Sequence, residues 1–256
     1  MAAPLKAEQF RKLHEGEPFV IPNPWDAGSA RMLETLGFKA LATTSSGFAF
    51  TLGKLDGEVT LDEVAAHVRA LEEATALPVS VDLENGYGAE PEAAARAVEV
   101  VAAAGAAGGS IEDWDRDERR IYEREHAVER VRAAVEAARP SGFVLTARAE
   151  NLIRGHDDLD DTIARLQAYE AAGADVLYAP GLRTVEQVRA VCAAVSKPVN
   201  VLARPDLTFA ELAEAGAQRV SVGGGLAWVA ARALAEAANA IRERGDFSAL
   251  TASSPL

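Results

Sequence analysis

The run PVSVDLENGYGAE, residues 78–90, carries two acids two positions apart on an otherwise apolar stretch and then breaks into glycines. Side chains alternate faces along a strand, so a strand over Val79–Leu83 would put Asp82 and Glu84 on the same side. Like charges that close repel, and they are tolerated when a cation, an arginine or a shared proton lies between them.

Outward from this run the same pattern recurs. Short β-rich runs at Phe19–Pro22, Ala40–Thr44, Val79–Leu83, Gly109–Asp113, Val144–Ala147, Val176–Ala179, Val199–Leu202 and Val220–Val222 alternate with alanine-rich amphipathic stretches. Thr60 followed by Glu63 has the spacing of a capping box. Gly105, Gly173 and Gly216 stand where a helix C-terminal glycine is expected before the next strand. Eight such strand–helix units, with no linker or low-complexity segment, predict one (β/α)8 TIM barrel domain over residues 1–256. Within it, 48–59 reads as a gating loop and 246–256 as a tail. A doubly wound open sheet is the alternative, and the lack of a GxGxxG opening a helix after the first strand speaks against it.

The bulk numbers agree. A chain of 256 residues with 49% hydrophobic content supports a sizeable core. A net charge of −13 argues against nucleic acid and anionic membranes as partners. No apolar run approaches the roughly 20 residues of a membrane span. The first residues, MAAPLKAEQFRKLHEG, read as a helix and not as a signal peptide. The single cysteine, Cys192, excludes an internal disulfide and a cysteine-rich metal cluster. A cytoplasmic enzyme is the expectation.

Barrel active sites collect at the C-terminal ends of the strands, so polar residues there are the informative ones. Asp82, Glu84 and Glu112 form a hard-oxygen cluster that suits Mg²⁺ or Mn²⁺, or else a salt-bridge network with Arg148. Arg148 either neutralises these carboxylates or grips a substrate carboxylate bidentately. TTSSGFAF, at the end of the second strand, offers backbone N–H groups of Ser45, Ser46 and Gly47 as an oxyanion or carboxylate cradle, or is an ordinary turn. The segment Phe48–Val59, with Gly53, Asp56 and Gly57, has the composition of a mobile lid or of a surface loop. Asn200, on the seventh strand, joins the substrate-facing set. SVGGG at the last strand holds a phosphate or packs the barrel end. His14, His67, His126 and His156 are expected in surface or packing roles, and Cys192 in a core helix.

In order, the Ser-Gly segment, TLGKLDGEVTLDEV, VDLENGYG, IED and TARAEN resemble the isocitrate lyase/phosphoenolpyruvate mutase superfamily over residues 8 to 245. The resemblance implies a (β/α)8 barrel, a homodimer or homotetramer that often exchanges a helix, and Mg²⁺-dependent chemistry through an enolate. It implies that Asp82, Glu84 and Glu112 match the metal acids, with Glu84 one methylene longer than the family's usual Asp. Ser45, Ser46 and Gly47 match the enolate- and carboxylate-binding segment, Arg148 the substrate arginine and Asp56 the gating-loop aspartate.

Departures bear on the substrate. The family's C–C lyases carry Lys-(Lys/Arg)-Cys-Gly-His after the fourth strand, whereas this chain has DWDRDERRIYEREHAVERV. The mutases place an aromatic residue before the Ser-Gly segment, where Thr44 stands here, and a lysine in the fourth loop that only Arg116, Arg119 or Arg120 could replace. Their histidine near the sixth strand is met here by LYAPGL. The expectation is a lyase-type enzyme acting on a small 2-oxo or 2-hydroxy carboxylate by C–C cleavage or decarboxylation. Phosphonopyruvate hydrolase or mutase-like C–P chemistry, and a metabolite-binding barrel without turnover, are the alternatives.

Overall fold

The computed structural model describes residues 3–251. Its barrel strands are β1 (Phe19–Ile21), β2 (Leu41–Ala42), β3 (Val79–Asp82), β4 (Gly108–Glu112), β7 (Val144–Arg148), β8 (Val176–Tyr178), β9 (Val199–Leu202) and β10 (Arg219–Ser221). They form one sheet in the order β1-β10-β9-β8-β7-β4-β3-β2, all pairs parallel. The two ends of the sheet meet where the Ala42 N–H donates to the Pro22 carbonyl at 3.0 Å. The expected barrel is therefore the observed one.

The strands β5 (Trp114–Asp115) and β6 (Arg120–Ile121) form an antiparallel hairpin outside the barrel. Two-residue strands leave no periodicity in the sequence to detect. The tail at 246–256 includes a 3₁₀ turn at Ser248–Thr251, and residues 252–256 lie outside the described residues.

Helices cover the barrel: α1 (Ala3–Leu13), α2 (Ala27–Thr35), α3 (Ser45–Thr51), α4 (Leu61–Ala74), α5 (Pro91–Ala103), α6 (Arg124–Ala138), α7 (Leu159–Ala172), α8 (Val185–Ala194), α9 (Phe209–Glu214) and α10 (Gly225–Arg244). The capping box of α4 is as predicted: Glu63 N–H donates to Thr60 Oγ1 at 3.3 Å, and Thr60 N–H donates to Glu63 Oε2 at 2.8 Å. Caps of this kind contribute about 1 kcal/mol each. Gly173 ends α7 at φ 104°, a left-handed conformation that costs a side-chain-bearing residue energy.

The outward faces of the strands, among them Val81, Ile111, Leu145 and Val201, pack under the helices as the main core. Helix α1 closes the N-terminal end, with Phe10 fully buried among Ala7, Phe19, Ile21, Val144 and Val176. A Cβ on Gly108 would lie 2.8 Å from the Phe10 ring, so this plug requires glycine there.

The barrel floor is polar. Arg219, 4% exposed, donates Nε to Asn200 Oδ1 at 2.8 Å and Nη2 to Thr146 Oγ1 at 3.0 Å. Its Nη1 lies 3.2 Å from His14 Nε2, and His14 Nδ1 lies 2.9 Å from the Phe10 carbonyl. A carbonyl only accepts, so Nδ1 carries the proton and Nε2 accepts from the arginine. Burial pushes His14 down to about 3 and Arg219 down to about 10. Above this floor the cleft-facing Ala42, Ser80 and Ser110 are small, and a cleft of about 230 Å³ opens at the C-terminal end of the strands.

Helix α10 is packed lightly. Of its 20 residues Ala227 is the buried one, while Trp228, Val229 and Leu234 are exposed. Among the described residues no helix is long and apolar enough to cross a membrane.

Candidate active site

Strand β3 stops at Asp82, so the alternation that was to carry Asp82 and Glu84 on one strand face ends before Glu84. Glu84 has φ 50°, in the left-handed region. Its N–H turns back to Asp82 Oδ1 at 3.3 Å, and its carbonyl accepts from Glu112 N–H at 2.8 Å. Strain of this kind persists where the surroundings over-determine the backbone. Here the buried Arg130 of α6 donates to the carbonyls of Asn85, Gly88, Ala89 and Glu90, fixing the whole turn after β3.

Arg148, at the end of β7, is the hub of the acidic side. Its Nη1 meets Asp82 Oδ1 at 2.9 Å, and its Nη2 meets Glu150 Oε1 at 2.7 Å and Glu112 Oε2 at 3.1 Å. Arg154 adds contacts to Glu112 at 3.4 Å and Glu150 at 3.1 Å and lies over the Trp114 ring at 4.6 Å. Burial lowers the Arg148 pKa, but Glu150, Glu112 and Asp82 outweigh it and hold the guanidinium well above its ordinary value. Burial and the neighbouring Glu150 raise Glu112 well above the usual carboxylate range.

Glu84 sits outside this hub. Its Oε2 pairs with Arg116 Nη2 at 2.7 Å, whereas Oε1 is buried without a hydrogen-bond partner. Burial and then Asp82 push Glu84 up to about 7. Arg116, from the β5–β6 turn, also donates to the Gly57 carbonyl. Gly57 has φ 91°, and a Cβ there would overlap the guanidinium. One side chain thus ties the hairpin, the segment 52–60 and Glu84 together, with the exposed Asp56 beside it.

The expected three-acid metal cluster is not assembled: among the described residues no three His, Cys, Asp or Glu side chains could hold a metal ion as they stand. The reason is visible in the contacts, because Arg148 lies between Asp82 and Glu112 and Arg116 takes an oxygen of Glu84. The salt-bridge alternative is the arrangement present. The donor chemistry nevertheless fits a hard cation, since all three groups are carboxylates and Glu84 carries a buried unpartnered oxygen.

The Ser-Gly segment is not a flexible turn. Thr44 caps α3, with its Oγ1 accepting the Gly47 N–H at 3.3 Å. The Gly47 amide expected to face substrate is therefore engaged in the cap. Glycine is needed there for packing, as a Cβ would lie 2.6 Å from Thr44 Cγ2 and 3.2 Å from Ala227. Ser45 N–H points to Asp82 Oδ2 at 3.4 Å, and both Ser45 and Ser46 line the cleft. A third of the expected gating loop is also altered: Phe48 to Thr51 belong to α3, and Phe48 stacks on His67 at 3.9 Å. The irregular part begins at Leu52.

Across the cleft, β8, β9, β10 and β1 contribute Tyr178, Pro180, Leu202, Ser221 and Ile21, and Ile153 joins them from the loop after β7. Asn200 lines the cleft floor as expected at 1% exposure. Its carbonyl accepts from Arg219 and its amide donates to Ser221 Oγ at 3.0 Å, so it braces the floor. Asp82, Ser45, Ser46, Arg148 and Asn200 are brought together at this cleft, while Glu84, Glu112 and Asp56 do not line it. Sequence reasoning missed Arg219 and Ile153. An arginine inside the apolar run QRVSV was the available signal for the first; the second had none.

Residues 10–242 match the family model for phosphoenolpyruvate phosphomutase. A solved structure from Burkholderia cenocepacia J2315, described as a candidate lyase/mutase, is 50% identical, covers 99% of this chain and 93% of its own, and superposes with a TM-score of 0.95. An oxaloacetate decarboxylase of Rhodopseudomonas palustris (strain ATCC BAA-98 / CGA009) is 35% identical over 205 residues, 77% of this chain and 70% of that protein. The structure of an oxaloacetate acetylhydrolase in complex with the product oxalate is 30% identical, with a TM-score of 0.87 over 95% of this chain and 89% of that one.

Proposed function

Because the chain belongs to the phosphoenolpyruvate phosphomutase family, within the isocitrate lyase/phosphoenolpyruvate mutase superfamily of lyases and mutases, we propose that it is a Mg²⁺-dependent lyase for a small 2-oxo or 2-hydroxy carboxylate. The observation that carries this reading is Arg148, a guanidinium held by three carboxylates at the edge of a cleft that Ser45 and Ser46 also line. The similarity to enzymes named for oxaloacetate chemistry supports it.

In this reading Asp82, Glu84 and Glu112 would hold Mg²⁺, with Mn²⁺ as a substitute, and an ion held there would supply Lewis-acid polarisation. Arg148 binds the substrate carboxylate through its planar fork and stabilises the charge that develops on the enolate oxygen. Its position is set by Glu150 and Glu112, so the donor is aimed before the substrate arrives. Ser45 and Ser46 line the same side of the cleft and complete the carboxylate seat. Asp56 and the segment 52–60 shield the cleft from water, and Arg116 holds that segment to Glu84.

Cleavage of the isocitrate type is not part of the proposal. Cleaving such a substrate needs a positioned acid. Cys192 lies on α8, away from the cleft, and burial pushes its thiol up to about 11. Assembly into a homodimer or homotetramer is proposed from the exposed apolar residues of α10.

The test is a screen of 2-oxo and 2-hydroxy acids with Mg²⁺, following pyruvate or glyoxylate. Metal-dependent turnover inhibited by oxalate is the expected result. Phosphate release from phosphonopyruvate would move the assignment to C–P chemistry, and binding without turnover would leave a metabolite-binding barrel.

A further inference from the structure

The two sides of the cleft differ in chemistry. Charge enters the lining from Asp82 and Arg148 on the β2-β3-β4-β7 side and from Arg219 on the floor. The Arg219 guanidinium is engaged through Nε, Nη1 and Nη2 by Asn200, His14 and Thr146 and is 4% exposed, so it closes the floor. The facing side carries Tyr178 and Ser221 together with an apolar patch of Ile153, Pro180 and Leu202 from three separate segments, and the fully buried Ile21 lies beneath it.

Ile153 is the informative member. It is 48% exposed, although it borders the cleft and sits three residues beyond the buried Glu150. Its backbone is held close to the next loop: Gly181 has φ 101°, and a Cβ there would lie 2.7 Å from Ile153 N. The chain approach that requires glycine at 181 fixes the isoleucine at the cleft edge. A large aliphatic side chain held exposed beside a polar seat is a surface that a ligand's apolar part can cover.

We infer that the substrate carries a short branched aliphatic group beside its 2-oxo or 2-hydroxy carboxylate, and that Ile153, Pro180 and Leu202 are the residues that select it. The inference rests on the proposed function for the position of the carboxylate. With that end at Arg148 and the Ser45–Ser46 side, the remainder of a small acid lies against the apolar patch. A second carboxylate placed there would meet no free cation among the cleft-lining residues.

Titration calorimetry with Mg²⁺ tests this with pyruvate, 3-methyl-2-oxobutanoate, 2-oxoglutarate and oxalate as ligands. Burying the two additional methyl groups is expected to make 3-methyl-2-oxobutanoate bind roughly tenfold more tightly than pyruvate. 2-Oxoglutarate is expected to bind more weakly than either. Ile153→Asn, at an exposed position, is expected to remove most of the aliphatic preference and to leave oxalate binding unchanged. Oxalate binding with no aliphatic preference, or a preference that survives Ile153→Asn, overturns the inference alone. Aliphatic preference without oxalate binding supports the apolar patch and defeats the lyase reading, and no binding of any 2-oxo acid defeats both.

Discussion

The two halves of the barrel mouth were built by the same strand–helix repeat and do opposite work. From β2 to β7 the strand ends carry Asp82, Glu112 and Arg148, each paired, with Glu84 and Glu150 just beyond. From β8 round to β1 they carry Tyr178, Pro180, Leu202 and Ile21. The charged half is held by ion pairs whose members were removed from water at a cost, and such pairs are strongly destabilising to break from one side. The other half is held by packing and contributes shape. A substitution in the charged half is felt as lost stability or chemistry, and one in the other half as altered selectivity.

The contrast predicts its own ranking. Arg148→Met leaves Asp82, Glu112 and Glu150 without their shared cation, and should lower the unfolding free energy by roughly 3–5 kcal/mol in urea titrations. Loss of less than about 1 kcal/mol would show that the acidic half is not held by this hub.

Below that stands the clasp. Arg116→Gln should raise the proteolysis rate of segment 52–60 about tenfold, because Gly57 and Glu84 lose their common partner; that is about 1.4 kcal/mol. Gly57→Ala should act through the same contact, so the double variant should cut no faster than the worse single one. Additive effects would separate the two loops.

The floor below both halves gives a pH effect. His14 is held neutral, with its folded value near 3 against an unperturbed 6.5. Its contribution is therefore fully present above pH 6.5 and is lost as pH falls from there toward 3, by up to about 1.4 kcal/mol per unit. Urea melts at pH 7 and pH 5 should show this decline, and His14→Gln should flatten it. The smallest effect is expected at Cys192→Ser, within about 1 kcal/mol of wild-type stability and with unchanged turnover.

The fold was legible because strand ends, caps and glycines are local signals. The capping box at Thr60 and the left-handed Gly173 stand where their spacing put them. The site was legible only as a set of residues. Asp82 and Arg148 were correctly placed at strand ends, but period-2 reasoning carried Asp82 and Glu84 past the real end of β3, where Glu84 turns to φ 50°. Reading TTSSGFAF as a turn failed for a related reason: Thr44 caps a seven-residue helix, too short for its periodicity to show. Which arginine meets which acid is a tertiary fact, and neither Arg116 on Glu84 nor Arg219 on Asn200 has a sequence spacing that announces it.

The proposed function requires the charged half to seat a metal and a small carboxylate together. Oxalate titrated into the wild-type protein and Asp82→Ala, each with and without Mg²⁺, tests it most directly. Heat of binding is expected only for wild type with Mg²⁺, with Asp82→Ala folded by circular dichroism and silent. Equal oxalate binding with and without the ion, or undiminished Mg²⁺-dependent binding in Asp82→Ala, would contradict it.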